Sequence, residues 1–176
     1  MKENVPSFLE RRNADWLAGR SSVASGHLVL IVDDSDSDIF FLLRAFASSG
    51  VKNPIQVVRN GAEAMDYLRG EGKFADREKF ALPCIVILDL HMPHPNGIEI
   101  LKWKKTRPEF RKVLFVALSN FDNTRSVSEA YEAGASTFLS KPLQAEDVRN
   151  LVHSFDEYWL RKSQSADTLL AEVSGK

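Results

Sequence analysis

The stretch LVLIVDD at residues 28–34 decides the fold. Its five consecutive apolar residues have the length of a strand that is buried on both faces, as strands are in a parallel sheet covered by helices. The run stops at two adjacent carboxylates, and the acidic residues after them are typical of a helix start, with Asp36 as the expected N-cap. This segment therefore predicts a strand, an acidic turn and a helix, in that order.

The rest of the chain repeats this alternation. Further runs that are predicted to form strands lie at 54–58, 84–88, 113–118 and 137–140. Predicted helices follow these runs and the first one, at 36–50, 62–69, around Ile98 and Leu101, at 124–133, and in a last segment that runs to about Leu160. Five strands alternating with five helices predict an α/β protein with a five-stranded parallel sheet and helices on both faces.

Composition bounds the class of protein. A length of 176 residues with 44% hydrophobic residues suits one folded domain. A net charge of −1 gives no basic footprint for nucleic acid, and no apolar run is long enough to cross a membrane. The one cysteine, Cys84, cannot form an internal disulfide or a cysteine-rich zinc site. We therefore expect a soluble, cytoplasmic protein that binds neither nucleic acid nor membrane.

The domain boundaries are expected near residues 27 and 161. Residues 1–26 end in a Ser/Gly-rich linker, and the segment before it is either a short amphipathic helix or a disordered arm. Residues 27–161 carry the five predicted strands and the five helices that alternate with them, and 162–176 form a tail. Such a tail is too short for a DNA-binding module, so we expect the output of the protein to leave through a protein surface.

Polar side chains follow four of the predicted strands at the point where each strand ends. They are Asp33 and Asp34 after the first strand, Asp89 after the third, Ser119 after the fourth and Lys141 after the fifth. Because sites in open parallel sheets lie outside the carboxyl ends of the strands, we expect these groups to meet at one sheet edge.

Three clustered carboxylates raise one another's pKa unless a cation lies among them, and Mg²⁺ is the hard cation that carboxylates and phosphate oxygens suit. Lys141 adds a point charge for an anion. Together with a hydroxyl donor, this set is built to stabilise a transferring phosphoryl group. Asp89, expected to be central in the sheet, is then the candidate nucleophile.

The whole set of motifs resembles the receiver domain of two-component response regulators, whose fold is flavodoxin-like. The matching segments are LIVDD at 30–34, ILDLHMP at 87–93 with NG at 96–97, ALS at 117–119 and KP at 141–142. The polar loop at 71–80 and the closing FDEYWL at 155–160 look most like single-domain regulators that are paired with phytochrome-type sensor histidine kinases.

The resemblance implies a role for each matching residue in metal binding and phosphoryl transfer. Asp89 would accept a phosphoryl group from a kinase phosphohistidine. Asp33, Asp34 and Asp89 would hold Mg²⁺ together with the backbone carbonyl of His91. Lys141 would bind a phosphoryl oxygen, and its bond to the following proline is expected to be cis.

The resemblance also implies a switch. Ser119 would move to a phosphoryl oxygen, and Phe138 would be the aromatic residue that turns inward when Ser119 moves. The surface of the fourth helix, fifth strand and fifth helix would change as a result, and homodimerisation through that face is expected. Asn120 departs from the small residue usual in the family, and it could narrow access to Asp89.

Two alternatives stay open at this point. The protein could keep the fold as an unphosphorylated adaptor, although the intact set of site residues argues against this. It could also be a phosphatase of the haloacid-dehalogenase type, because Asp34-Ser35-Asp36 matches the D-x-D pattern of that class.

Overall fold

The computed structural model describes residues 28–51, 53–120 and 124–154. Within these ranges the strands are β1 Val29–Val32, β2 Ile55–Val58, β3 Ile85–Asp89, β4 Leu114–Ser119 and β5 Thr137–Ser140. The helices are α1 Asp36–Ser49, α2 Gly61–Arg69, α3 Gly97–Lys105, α4 Thr124–Ala133 and α5, described over 145–154. Two single-turn 3₁₀ helices, Gly72–Phe74 and Pro108–Phe110, lie in loops.

The five strands form one parallel sheet in the order β2-β1-β3-β4-β5. This arrangement confirms the predicted fold class. The register aligns the carboxyl ends of the central strands, since Val32 pairs with Leu88 and Asp89 pairs with Leu118. Residues that directly follow β1 therefore lie beside the end of β3, which is the placement that a shared site needs.

Alternation along the strands divides the core into two layers. Val29 and Ile31 face the layer that contains the apolar stripes of α1 and α5. Leu30 and Val32 face the opposite layer, which α2, α3 and α4 cover. The same alternation in β3 and β4 explains why their runs are apolar at every position: both faces of the sheet are covered.

The predicted bounds of the elements agree with the structure to within about a residue at most ends, but one cap was predicted wrongly. The N-cap of α1 is Ser35, whose hydroxyl accepts a hydrogen bond from the backbone N–H of Asp38, and Asp36 lies in the first turn. The arm at 1–26, the end of the last helix near Leu160 and the tail at 162–176 lie outside the described residues. No helix within the described ranges is long and apolar enough to cross a membrane.

The polar loop at 71–80 is held against α2 by aromatic packing and by one guanidinium. Phe74 is buried, with its ring centroid 5.0 Å from that of Tyr67 and 5.2 Å from that of Phe80. Arg77 donates hydrogen bonds to the carbonyls of Tyr67 and Leu68 at the end of α2, and to that of Phe80. Carbonyls at a helix C-terminus lack partners within the helix, so Arg77 acts as a side-chain cap.

We expect Arg77→Met to lower the free energy of unfolding by about 1–3 kcal/mol, because part-buried carbonyls lose charge-assisted hydrogen bonds. Urea unfolding monitored by circular dichroism measures this. Lys79→Met is the matched control, since Lys79 lies in the same loop and its ammonium is 5.3 Å from the Phe80 ring centroid. An Arg77 variant as stable as the Lys79 variant would contradict the capping role.

Candidate functional site

Three carboxylates converge at the carboxyl edge of the sheet. One carboxylate oxygen from each of Asp33, Asp34 and Asp89 lies within 4.8 Å of the others. Asp33 and Asp89 are buried, whereas Asp34 is exposed. The structure thus brings together the three acidic residues that were predicted to meet, with an open side at Asp34.

Lys141 reaches into this cluster from the loop after β5. Its Nζ atom lies 2.7 Å from Oδ2 of Asp33, 2.8 Å from Oδ2 of Asp38 and 3.4 Å from Oδ1 of Asp89. The Lys141 side chain is only 6% exposed. Asp38 was not predicted as part of the site, and it is the fourth carboxylate around the cluster.

Burial and hydrogen bonding set the charges of these groups. Burial raises the pKa of Asp33 above its usual value, and the hydrogen bonds from Lys141 and from the backbone N–H of Ser35 only partly offset the shift. Burial alone would lower the pKa of Lys141, but the hydrogen bonds to Asp33 and Asp38 together with the negative charges of Asp89 and Asp33 outweigh it, so the net pKa is raised. Lys141 is therefore held as an ammonium ion.

A divalent cation fits the charge of this site. Lys141 pairs with Asp33, Asp38 and Asp89, and Asp34 lies beside Asp33 and Asp89. These five side chains carry a net charge of −3 when all are ionised. Like charges this close disfavour ionisation, and a hard cation with oxygen ligands relieves the repulsion. Asp33, Asp34 and Asp89 offer oxygen ligands in one place, so the residues present suit a divalent metal ion.

Close backbone packing positions Asp89. Gly97, the first residue of α3, lies so close to the end of β3 that a Cβ atom there would be 2.3 Å from the carbonyl oxygen of Asp89. A capping box fixes that end of α3, with Asn96 and Glu99 each accepting a hydrogen bond from the other's backbone N–H. The backbone N–H of His91 donates to Oδ1 of Asp89 at 3.3 Å. Packing therefore explains the Asn96-Gly97 motif after Asp89: the asparagine caps α3, and the glycine lets α3 approach the end of β3.

Ser119 lies at the end of β4 and is fully buried. Its Oγ atom is 3.3 Å from Nδ1 of His91, and its backbone carbonyl accepts a hydrogen bond from the N–H of Lys141. His91 was predicted to contribute a backbone carbonyl, so the contact between its imidazole and Ser119 is new. The predicted cis bond between Lys141 and Pro142 is confirmed.

The remaining predicted residues flank this edge. Phe138 in β5 is half-buried and packs against the layer that α2, α3 and α4 cover. Asn120 is exposed directly after Ser119. Asp36, which the phosphatase alternative would need beside Asp34, instead accepts hydrogen bonds from Arg59.

A family model for the response regulator receiver domain matches residues 29–153. This match covers most of the chain and agrees with the fold and with the acidic pocket described above. The protein belongs to the response regulator receiver domain family, whose members are signalling proteins of two-component systems. The phosphatase alternative is therefore discarded.

Comparison with individual proteins shows which members of this family the chain is similar to. The chain is 32% identical to the probable methanogenesis regulatory protein FilR2 of Methanothrix harundinacea, over 78% of this chain and 86% of FilR2. A response regulator in red light signalling of R. palustris superposes with a TM-score of 0.67 at 31% identity, covering 72% of this chain and 92% of that protein.

Two cyanobacterial structures bear on the site. The phosphorylated phytochrome response regulator RcpA superposes with a TM-score of 0.62 at 30% identity, covering 77% of this chain and 94% of RcpA. The Mn²⁺-bound form of Rcp1, a response regulator of Synechocystis, superposes with a TM-score of 0.60 at 26% identity, covering 76% of this chain and 94% of Rcp1. The predicted resemblance to phytochrome-associated regulators is confirmed.

Proposed function

We propose that Asp89 accepts a phosphoryl group from the phosphohistidine of a sensor histidine kinase, and that the phosphorylated protein signals by binding other proteins. The observation that carries this proposal is the convergence of Asp33, Asp34 and Asp89 with the buried ammonium of Lys141 at one sheet edge. A phosphorylated structure exists for the similar regulator RcpA. The adaptor alternative would leave this charged, buried arrangement without a use.

In the proposed transfer, a carboxylate oxygen of Asp89 attacks the phosphorus atom of the phosphohistidine. The P–O bond to Asp89 forms as the P–N bond breaks, and the imidazole of the kinase leaves with the electron pair of that bond. Asp33, Asp34, Asp89 and the backbone carbonyl of His91 would hold Mg²⁺, which neutralises charge on the phosphoryl oxygens when bound. Lys141 stabilises a further oxygen.

The proposed output is a rearrangement that begins at Ser119. A phosphoryl group adds negative charge and strong acceptor oxygens beside Asp89, and the Ser119 hydroxyl can donate to one of them. To do so it leaves its contact with the imidazole of His91, 3.3 Å away. Movement of this loop gives Phe138, which is only half-buried, the space to turn inward, and this alters the surface of α4, β5 and α5.

The partner that we propose is a phytochrome-type kinase, because similar proteins include the red-light regulator of R. palustris and the phytochrome regulator RcpA. We place the protein in the cytoplasm, where such kinases present their phosphohistidine. We also infer that the receiver domain spans 27–161, slightly beyond the matched residues 29–153.

Incubation with radiolabelled acetyl phosphate and Mg²⁺, or with a phosphorylated phytochrome-type kinase, should label the wild-type protein. Asp89→Asn should abolish the label, because an amide cannot serve as the nucleophile. Asp66→Asn, on the exposed side of α2, is the matched control and should label normally. Labelling of the Asp89 variant at the wild-type level would overturn the assignment.

Mg²⁺ should stabilise the protein by about 2.7 kcal/mol at about 100 times its Kd, since the ion binds the folded site. Asp34→Asn should weaken Mg²⁺ binding on the order of tenfold by removing one charged oxygen ligand. Titration calorimetry and thermal unfolding measure the two effects, again with Asp66→Asn as control. A wild-type protein that shows no Mg²⁺ affinity would favour the adaptor alternative.

Homodimerisation through α4, β5 and α5 is part of the proposal. Tyr131 on α4 is 48% exposed, and an open groove of about 440 Å³ with Leu139 and Leu151 in its lining lies between β5 and α5. We expect Tyr131→Asp to shift the protein towards monomer in light scattering, measured with and without beryllofluoride. Leu82→Asp, at an exposed position in the loop before β3, is the control. A wild-type protein that is monomeric in both states would contradict this face as a dimer interface.

A further inference from the structure

The ammonium of Lys141 is held by a carboxylate that belongs neither to the candidate metal ligands nor to the phosphoryl acceptor. Oδ2 of Asp38, in the first turn of α1, accepts a hydrogen bond from Nζ of Lys141 at 2.8 Å. Nζ is 0.6 Å farther from Asp89, at 3.4 Å against 2.8 Å. The ammonium of Lys141 is thus closer to Asp33, at 2.7 Å, and to Asp38 than to Asp89, the proposed phosphoryl acceptor.

We propose that Asp38 is a positioning residue that restrains Lys141 and weakens its interaction with a phosphoryl group on Asp89. The inference rests on the proposed function, and it adds a residue to which neither the motifs nor the resemblance assigned a role. Asp38 is the member of the Lys141 cluster whose carboxylate is not needed elsewhere in the proposed chemistry. Its effect on the reaction therefore passes through Lys141.

The surroundings make this ion pair strong enough to matter. The Lys141 side chain is 6% exposed, and a cavity of about 20 Å³ beside the pair has Leu42, Leu118 and Leu143 in its lining. Apolar surroundings lower the effective dielectric and strengthen the attraction between the two charges. The Asp38 side chain is 32% exposed, so water can solvate its carboxylate when the pair opens.

The local backbone keeps Asp38 in place independently of Lys141. Its N–H donates to the hydroxyl of Ser35, the N-cap of α1, and Ser35 in turn donates its own N–H to Oδ1 of Asp33. The carboxylate of Asp38 is therefore presented from the first turn of a capped helix whether or not the ammonium is present. Replacing this carboxylate by an amide leaves the cap untouched.

A phosphoryl group on Asp89 competes with Asp38 for the same ammonium. A phosphoryl group carries about −1.5 to −2 charges, against −1 for a carboxylate. The attraction between Lys141 and Asp38 is lost when the ammonium of Lys141 turns towards the phosphoryl oxygens. The stronger this attraction is, the less favourable the turn becomes. Asp38 thus favours the unphosphorylated state, and its removal should strengthen binding of a phosphoryl group or its analogue.

The test is the affinity for beryllofluoride, a phosphoryl analogue, measured by fluorine NMR at saturating Mg²⁺ so that metal affinity does not contribute. We expect Asp38→Asn to bind beryllofluoride about threefold or more tightly than wild type, the size expected for a part-exposed ion pair. Asp38→Glu, which retains the charge, should return the affinity towards the wild-type value.

Asp36→Asn is the matched control. Asp36 lies in the same first turn and carries the same charge, but its side chain is 82% exposed and pairs with Arg59. It should change the affinity less than Asp38→Asn does. Thermal unfolding of each variant is measured as well. A merely structural defect would lower both the stability and the affinity for beryllofluoride, whereas release of Lys141 raises that affinity.

Each outcome decides between the ideas. Equal effects of Asp38→Asn and Asp36→Asn would mean a general charge effect and would overturn the role of Asp38, as would weaker binding by Asp38→Asn. A wild-type protein that does not bind beryllofluoride would instead overturn the proposed phosphoryl acceptance itself. Tighter binding by Asp38→Asn alone, with Asp38→Glu near wild type, supports the restraint.

Discussion

Repulsion among carboxylates at one sheet edge is the constraint on which the rest of this structure depends. Asp33 and Asp89 are buried together, and Lys141 is the ammonium that contacts both. Removing charges from water is costly unless they are paired, so this edge is stable only with a well-placed cation and tolerates a second one well. The carboxylates at this edge therefore carry more charge than the ammonium neutralises, and this excess of negative charge suits the edge to a divalent cation.

Rigid strands and helices hold these charged groups together despite their repulsion. The central strands are apolar on both faces and are covered by two packed layers, so the positions of their carboxyl ends are set by the core. Gly97 admits α3 close to the carbonyl of Asp89, and the capping box of α3 satisfies the backbone N–H groups of Asn96 and Glu99. Groups that repel one another are held in place because the backbone that carries them has little freedom to separate.

The chain's patterning predicted the fold because each local signal agrees with the global one. Apolar runs, helical stripes and turn residues all indicated alternating strands and helices, and the strand ends identified Asp33, Asp34, Asp89, Ser119 and Lys141 as a group. The wrong N-cap and the missing site residue have a common cause. Ser35 and Asp36 are both good caps, so only backbone geometry chooses between them. In the sequence, Asp38 is an ordinary acidic residue in the first turn of a helix. Its role appears only in the folded structure, where the loop after β5, about a hundred residues later, brings Lys141 to it.

The amino-acid sequence alone determined the fold class, the strand ends that carry the chemistry, and the kind of chemistry that three acids, a hydroxyl and a lysine can support. Tertiary structure alone decided how one ammonium is divided among Asp33, Asp38 and Asp89, and that the imidazole of His91 meets Ser119. The reason is physical. Periodicity reports which face of an element is buried, whereas a contact between side chains on different loops depends on distances of a few tenths of an ångström, which only the packed core sets.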